Sequence, residues 1–185
     1  MKNSTPTSLH LIGAGGLGRE IAATLFHPIF QNKYPIAGFI DDKQKPGGTL
    51  INTIPVLGNL EWLKKQEQAS AMLCIGKPEI RQQVLSKLSG LPIDWPTIIH
   101  PGATLYDAQR IQLGKGIFIG QGSILTTDIH VGDHSFIQPG CSLHHDTRIG
   151  QNCILMPGVR ITGGANITDH TYIPAGTCIT NAITV

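Results

Sequence analysis

A branched aliphatic returns at every sixth position through the back half of the chain, from Leu113, Ile119, Leu125 and Val131 on to Ile173 and Ile179. Twelve hexads in unbroken phase fit neither a 3.6-residue helix nor a plain alternating strand. They do fit a coil built of three short strands. Two residues beyond most of these aliphatics stands a turn pair, such as Lys115-Gly116, Gln121-Gly122, Pro139-Gly140, Pro157-Gly158, Gly163-Gly164 or Ala175-Gly176. Glycine supplies the positive φ of a sharp corner. Four residues beyond, the side chain is small or branched, as at Ser123, Cys141, Cys153 and Ala165, so each corner can close over the stacked aliphatics. The pattern predicts a parallel β-helix of about four coils, three hexads to a coil. Ile99, Leu105 and Ile111 continue it two residues out of phase, which suits an irregular first coil that caps the stack.

Ahead of the repeat, Leu9 to Ile12 reads as a strand ending at Gly13-Ala14-Gly15-Gly16-Leu17-Gly18, with a helix from Arg19 to about Phe26 behind it. A G-x-G-x-x-G between strand and helix lets backbone N–H groups approach phosphate oxygens at the helix N-terminus. A second strand, Ile36 to Ile40, ends in Asp41-Asp42, about where such folds hydrogen-bond a ribose or base. Val56-Leu57-Gly58 leads into a helix over Asn59 to Gln66. A third strand, Ala71 to Ile75, ends at Gly76, and a helix over Pro78 to Leu88 follows. This is a single Rossmann-like β-α-β-α-β unit, half of what a dinucleotide spans, so its size points to a mononucleotide or nucleotide-diphosphate ligand. The plainer reading keeps the glycines for tight packing alone. Two domains follow, residues 1–95 and 96–185, joined through Trp95 to Pro101.

A net charge of +2 with no basic run gives no case for nucleic acid or an anionic membrane. The four cysteines form no Cys-x-x-Cys pair, and Cys141 and Cys153 fill the small-residue slot of the repeat, so buried reduced thiols are expected. The polar start, Met1 to Ser8, lacks an apolar h-region and no segment is long enough to span a bilayer. The expectation is a cytoplasmic protein.

One hexad breaks the corner chemistry: Leu143-His144-His145-Asp146-Thr147-Arg148. Where its neighbours place Pro-Gly or Gln-Gly, it places His145-Asp146. A β-helix corner has no structural need for imidazole, whereas neutral imidazole is the commonest general base near pH 7. The adjacent carboxylate of Asp146 can hold the tautomer and stabilise the imidazolium that forms. His130, His134 and His170 lie on the same repeat, and most surface histidines have no role, so His145 is the candidate and the others are background.

With these residues in view, the chain resembles a known family. Gly13 to Glu20 (GAGGLGRE), Gly38 to Asp42 (GFIDD), Pro55 to Gly58 (PVLG), Ile98 to Pro101 (IIHP), His145-Asp146 followed by Ile149-Gly150, and Pro157 to Gly163 (PGVRITG) carry the resemblance. The family is that of the PglD/NeuD-like left-handed β-helix acetyltransferases, which acetylate nucleotide-activated amino sugars, with the related sialic acid O-acetyltransferases. The resemblance implies an α/β Rossmann-like unit for the nucleotide sugar, then a left-handed parallel β-helix that forms a homotrimer with acetyl-CoA between subunits. The expected activity is N-acetylation of an amino sugar, such as a UDP-, dTDP- or GDP-4-amino-4,6-dideoxy sugar, in glycan biosynthesis. The implied roles are His145 as general base with Asp146 beside it, and Gly163 and Ala175 against the coenzyme. Gly13, Gly15, Gly16, Leu17 and Gly18 would face the diphosphate, Asp41 and Asp42 the base and ribose, with Gly76 and Gln138 also at the substrate. The chain departs from the family pattern at Leu17, where His is common, and at Gln138, where Asn is common. O-acetylation of a sialic acid or polysaccharide unit is the alternative. A scaffold or zinc site is a third reading, but His130 and His145 are fifteen residues apart and do not stack on one edge, so no metal is expected.

Overall fold

A computed structural model describes residues 8–31, 33–47, 50–51 and 53–180. Apart from Ser8, the polar start lies outside the described residues. The chain divides between Trp95 and Pro96, except that Lys77–Gln83 group with the second unit.

In the first unit, β1 (Leu9–Ile12), β2 (Ile36–Ile40), β3 (Leu50–Ile51), β4 (Ile54–Gly58), β5 (Ala69–Leu73) and β6 (Ile93–Asp94) form one sheet in the order β3-β4-β2-β1-β5-β6. All neighbours are parallel except β3 and β4. Every residue of β1 and β5 is buried, as in central parallel strands covered on both sides. Helices α1 (Gly16–Leu25), α2 (Pro28–Gln31) and α3 (Leu60–Leu63) belong to this unit, and α4 (Pro78–Lys87) is divided between the two units after Gln83. α1 buries Gly18, Ile21, Ala22 and Leu25, one stripe at helical spacing.

The sheet corrects the three-strand expectation. Val56-Leu57-Gly58 belongs to β4, paired with β2; Pro55 demotes that run by the usual reading, but its neighbour on that side is only the two-residue β3. The helix expected over Asn59 to Gln66 is the four-residue α3, capped by Asn59, whose Oδ1 accepts the Trp62 N–H at 3.0 Å. The expected third strand lies two residues earlier, at β5, where Ser70 is paired with Asp94. The first helix begins at Gly16, inside the glycine turn, and not at Arg19.

The second unit is a parallel β-helix with three faces. Face I holds Ile98–Ile99, Phe118–Ile119, Phe136–Ile137, Ile154–Leu155 and Tyr172–Ile173. Face II holds Thr104–Leu105, Ile124–Leu125, Ser142–Leu143, Arg160–Ile161 and Cys178–Ile179, and face III holds Ile111–Leu113, Ile129–Val131, Arg148–Ile149 and Asn166–Ile167. All the predicted aliphatics from Ile119 to Ile179 are buried in one core, with Leu113 half-buried against it. Burying such a side chain contributes about 1.5–3 kcal/mol.

The coils keep an 18-residue register, as in Leu125↔Leu143 and Leu143↔Ile161, but Ile99↔Ile119 and Leu105↔Leu125 are 20 apart. The 3₁₀ turn Ala108–Arg110 absorbs the extra two residues before Leu113 pairs with Val131. The third aliphatic of the capping coil is therefore Leu113, and Ile111 pairs two residues earlier with Ile129. This corrects the phase assigned to Ile111.

Every corner residue three beyond an aliphatic, from Gly116 to Gly176, has φ between +54° and +78°. Glycine fills six of these sites; Asp128, His134, Asp146, Asn152 and His170 fill the rest. A left-handed L-residue costs about 1–2 kcal/mol, and Asn, Asp and His are the types most often found there. The column between faces III and I (Gly116, His134, Asn152, His170) is held by hydrogen bonds. Arg81, fully buried, donates from Nε to Asn152 Oδ1 at 2.8 Å, and from its terminal nitrogen to the His134 carbonyl. Its guanidinium lies 4.4 Å above the Phe136 ring. Asn152 Nδ2 donates to the Pro78 carbonyl at 3.0 Å and meets His170 Nδ1 at 2.9 Å.

Burial pushes the His134 imidazole from an ordinary 6.5 down to about 4, against the pull of Asp133 and helped by Arg81 and Lys115. The unfolded chain therefore takes up this proton first as pH falls. His134 gives its full contribution above about pH 6.5; stability declines between there and pH 4 and loses no more below it. Urea midpoints measured across this range should show His134→Asn, which tolerates the left-handed φ, losing less on acidification than the wild type. An identical acid limb in the two proteins would remove His134 as its source.

Candidate active site

His145 and Asp146 form the corner between faces II and III. His145 Nδ1 lies 2.8 Å from Asp146 Oδ2, and the two side chains are 65% and 68% exposed. An Nδ1–H donated to that carboxylate leaves the Nε2 lone pair of the neutral ring free to take a proton. The left-handed backbone of Asp146, φ +61°, belongs to the turn that sets this carboxylate beside the preceding imidazole. One coil on, the same corner is Gly163-Gly164, and the Gly164 N–H donates to the His145 carbonyl at 2.9 Å. A Cβ on Gly163 would stand 2.4 Å from His145 Cε1 and 2.5 Å from Nε2. The absence of a side chain there lets the imidazole lie flat against the backbone of the next coil. His145, Asp146 and Gly163 are thus brought together.

Gln138 and Ala175 are not part of that group. Both stand at the corner between faces I and II, at the other end of the face II strands from the corner that holds His145. Gln138 is 4% exposed, and among the described residues its Nε2 meets no hydrogen-bond partner.

The glycine turn divides by role. A Cβ on Gly18 would come within 2.0 Å of the Gly13 carbonyl oxygen, and one on Gly13 (φ +104°) within 2.9 Å of the Cys74 carbonyl. These two glycines are needed for packing. Gly15 and Gly16 face open space, so a ligand can reach their backbone. Leu17 leans toward Gly76, 4.0 Å from where a Cβ would be. Asp41 holds the turn: its Oδ2 accepts the Ala14 N–H at 2.8 Å and its Oδ1 the Lys43 N–H at 2.8 Å. Asp42 Oδ1 accepts the Leu60 N–H at 3.1 Å. Asp41 thus shapes the turn and Asp42 the start of α3, each with lone pairs left over.

Sequence reasoning missed two groups. Arg81 was not singled out within the helix expected over Pro78 to Leu88; only its helical spacing from the buried Pro78 and Val84 could have marked it. Arg110, His130 and Arg148, with Asp128, border a cleft that runs up to Asp146; their spacing of about one coil was the available sign. Among the described residues no three His, Cys, Asp or Glu side chains gather as metal ligands, and no helix is long and apolar enough to cross a membrane.

Residues 8–88 match the model of the PglD N-terminal domain, and residues 146–181 that of the bacterial transferase hexapeptide (six repeats). By sequence, no curated protein matches the chain. Among solved structures, a variant of the perosamine N-acetyltransferase from Caulobacter crescentus, in complex with CoA and GDP-perosamine, superposes with TM-score 0.78 at 22% identity, over 96% of this chain and 90% of that one. WeeI from Acinetobacter baumannii AYE gives 0.78 at 24% identity, over 94% and 81%. PerB from Caulobacter crescentus, also with CoA and GDP-perosamine, gives 0.69 at 21%, over 96% and 90%. These likenesses establish the fold: a Rossmann-like unit followed by a left-handed parallel β-helix.

Proposed function

We propose that this chain, a PglD N-terminal domain joined to bacterial transferase hexapeptide repeats, is an acetyl-CoA-dependent N-acetyltransferase of a nucleotide-activated amino sugar. The observation that carries the reading is the His145–Asp146 pair lying against side-chain-free Gly163 on a hexapeptide corner. The similar structures holding CoA and GDP-perosamine support the substrate class. The nucleotide diphosphate sits at the open backbone of Gly15 and Gly16, with Gly76 and Leu17 at its border and Asp41 and Asp42 at its ribose and base. Acetyl-CoA, bound against Gly163, supplies the acetyl group as a thioester. His145 Nε2 takes the proton from the acceptor nitrogen as that nitrogen bonds to the acetyl carbonyl carbon; the C–S bond then breaks, the coenzyme thiolate leaves with the proton held on His145, and Asp146 steadies the imidazolium in between. Gln138 and Ala175 stand too far from His145 along one chain to share a substrate atom with it. The working unit is accordingly a homotrimer in which one chain's His145 meets a neighbour's Gln138 and Ala175. The buried thiols of Cys141 and Cys153 suit a cytoplasmic setting.

The test is acetyl-CoA turnover with UDP-, dTDP- and GDP-linked amino sugars, run beside free sialic acid. Turnover with a nucleotide amino sugar is the expected result; turnover with sialic acid alone would replace N-acetylation by O-acetylation. Gly163→Ala pushes a methyl into the imidazole and should lower kcat about 100-fold, the scale of an ångström-sized misplacement. Steady-state rates with an unchanged circular dichroism spectrum check this, and a wild-type kcat would show that the ring can lie elsewhere.

A further inference from the structure

A second feature adjoins the catalytic pair. On the outside of face III, Gln112, His130 and Arg148 stack in register, one per coil. With Arg110, Asp128 and Asp146 they line a cleft of about 250 Å³ whose floor is the buried Ile129. Asp146 is thus shared: one oxygen holds His145, and the carboxylate forms part of the cleft wall.

The charges in the cleft balance. Two guanidiniums face two carboxylates, and Arg110 is already engaged, its Nε donating to Asp128 Oδ1 at 2.7 Å. Arg148 and His130 have no side-chain partner among the described residues. A phosphate subsite would carry an excess of positive charge, and an apolar ligand would leave these polar groups unmatched. A ring bearing hydroxyls satisfies them, because each hydroxyl both donates and accepts. The planar fork of Arg148 matches two adjacent oxygens. The cleft lies in the coils up to His145, whereas Gly163 lies one coil beyond.

We infer that this cleft is the sugar subsite for the acceptor: Arg148 and His130 bind its ring hydroxyls and present it to the base held by Asp146. The inference rests on the acetyltransferase reading above and adds the residues that select the sugar.

Initial rates with acetyl-CoA and a nucleotide amino sugar that the wild type acetylates test it. In Arg148→Ala and His130→Ala the acceptor KM should rise about tenfold or more, the scale of a lost hydrogen bond to a charged group. The acetyl-CoA KM should stay within about twofold, as for a group that touches only the acceptor. Arg148→Lys, which keeps the charge but loses the fork, should stay impaired. A raised acetyl-CoA KM, a wild-type acceptor KM or an altered oligomeric state in Arg148→Ala overturns the inference while the acetyltransferase reading stands. Full recovery in Arg148→Lys, with an acceptor KM that climbs with salt, overturns it in favour of a phosphate site. Absence of transfer by the wild type to every nucleotide amino sugar overturns both.

Discussion

His145→Ala should lower turnover by roughly two to four decades, the range that a positioned general base contributes, while nucleotide-sugar affinity changes little. The expectation follows from the hydrogen bond. With Nδ1 turned to Asp146 at 2.8 Å, Nε2 is the ring atom left for the acceptor proton, and alanine leaves no group at that corner to replace it. The side chain is exposed and fills no core space, so the folded state should be unaffected. A deprotonated amine is already nucleophilic, so an amine acceptor places the loss toward the lower end of the range and a hydroxyl toward the upper. Single-turnover rates, with acceptor binding followed separately by calorimetry, test both halves. Near-wild-type turnover in the variant would take His145 out of the reaction.

Arg81→Ala should produce the largest loss of stability, about 3–5 kcal/mol. The guanidinium serves Asn152 Oδ1 and the His134 carbonyl and covers the Phe136 ring. Each acceptor stranded in the interior costs about 1–3 kcal/mol, and the void over Phe136 adds to that. Asn152 also loses the contact that keeps it in a left-handed conformation at φ +54°. Arg81→Lys should recover only part, because an ammonium cannot reach both acceptors in the plane that the fork uses. Urea unfolding measures the difference; a loss below about 1 kcal/mol would mean that solvent takes over these bonds.

The β-helix was legible because its constraint is local and repeated: Ile119, Leu125 and their successors each sit in an equivalent slot, so one rule read many times is hard to misread. The Rossmann-like unit was less legible where a rule met an exception. Val56-Leu57-Gly58 was read as the lead into a helix, yet with Pro55 it forms a strand between β2 and the two-residue β3. Ile111 kept its six-residue spacing from Leu105, and the short turn before it moved the true partner to Leu113. The argument that a corner has no use for imidazole is not general, since His134 and His170 occupy left-handed corner positions and are tied into the Arg81 and Asn152 cluster. What sets His145 apart is its carboxylate partner and the bare glycine above it, and only the second of these needed the third dimension to be seen. Asp41 and Asp42 were read as facing a ribose and base; their hydrogen bonds to Ala14, Lys43 and Leu60 join residues up to 27 positions apart, beyond what spacing reveals.

The left-handed corners have a consequence for how such a chain can change. The residue types that tolerate this backbone besides glycine are Asn, Asp and His, which are also common carriers of protons and hydrogen bonds. One exchange at a rim position can therefore add or remove a reactive group on any coil while the aliphatic stack stays as it was. Chemistry and packing are written in different letters of the same six-letter word.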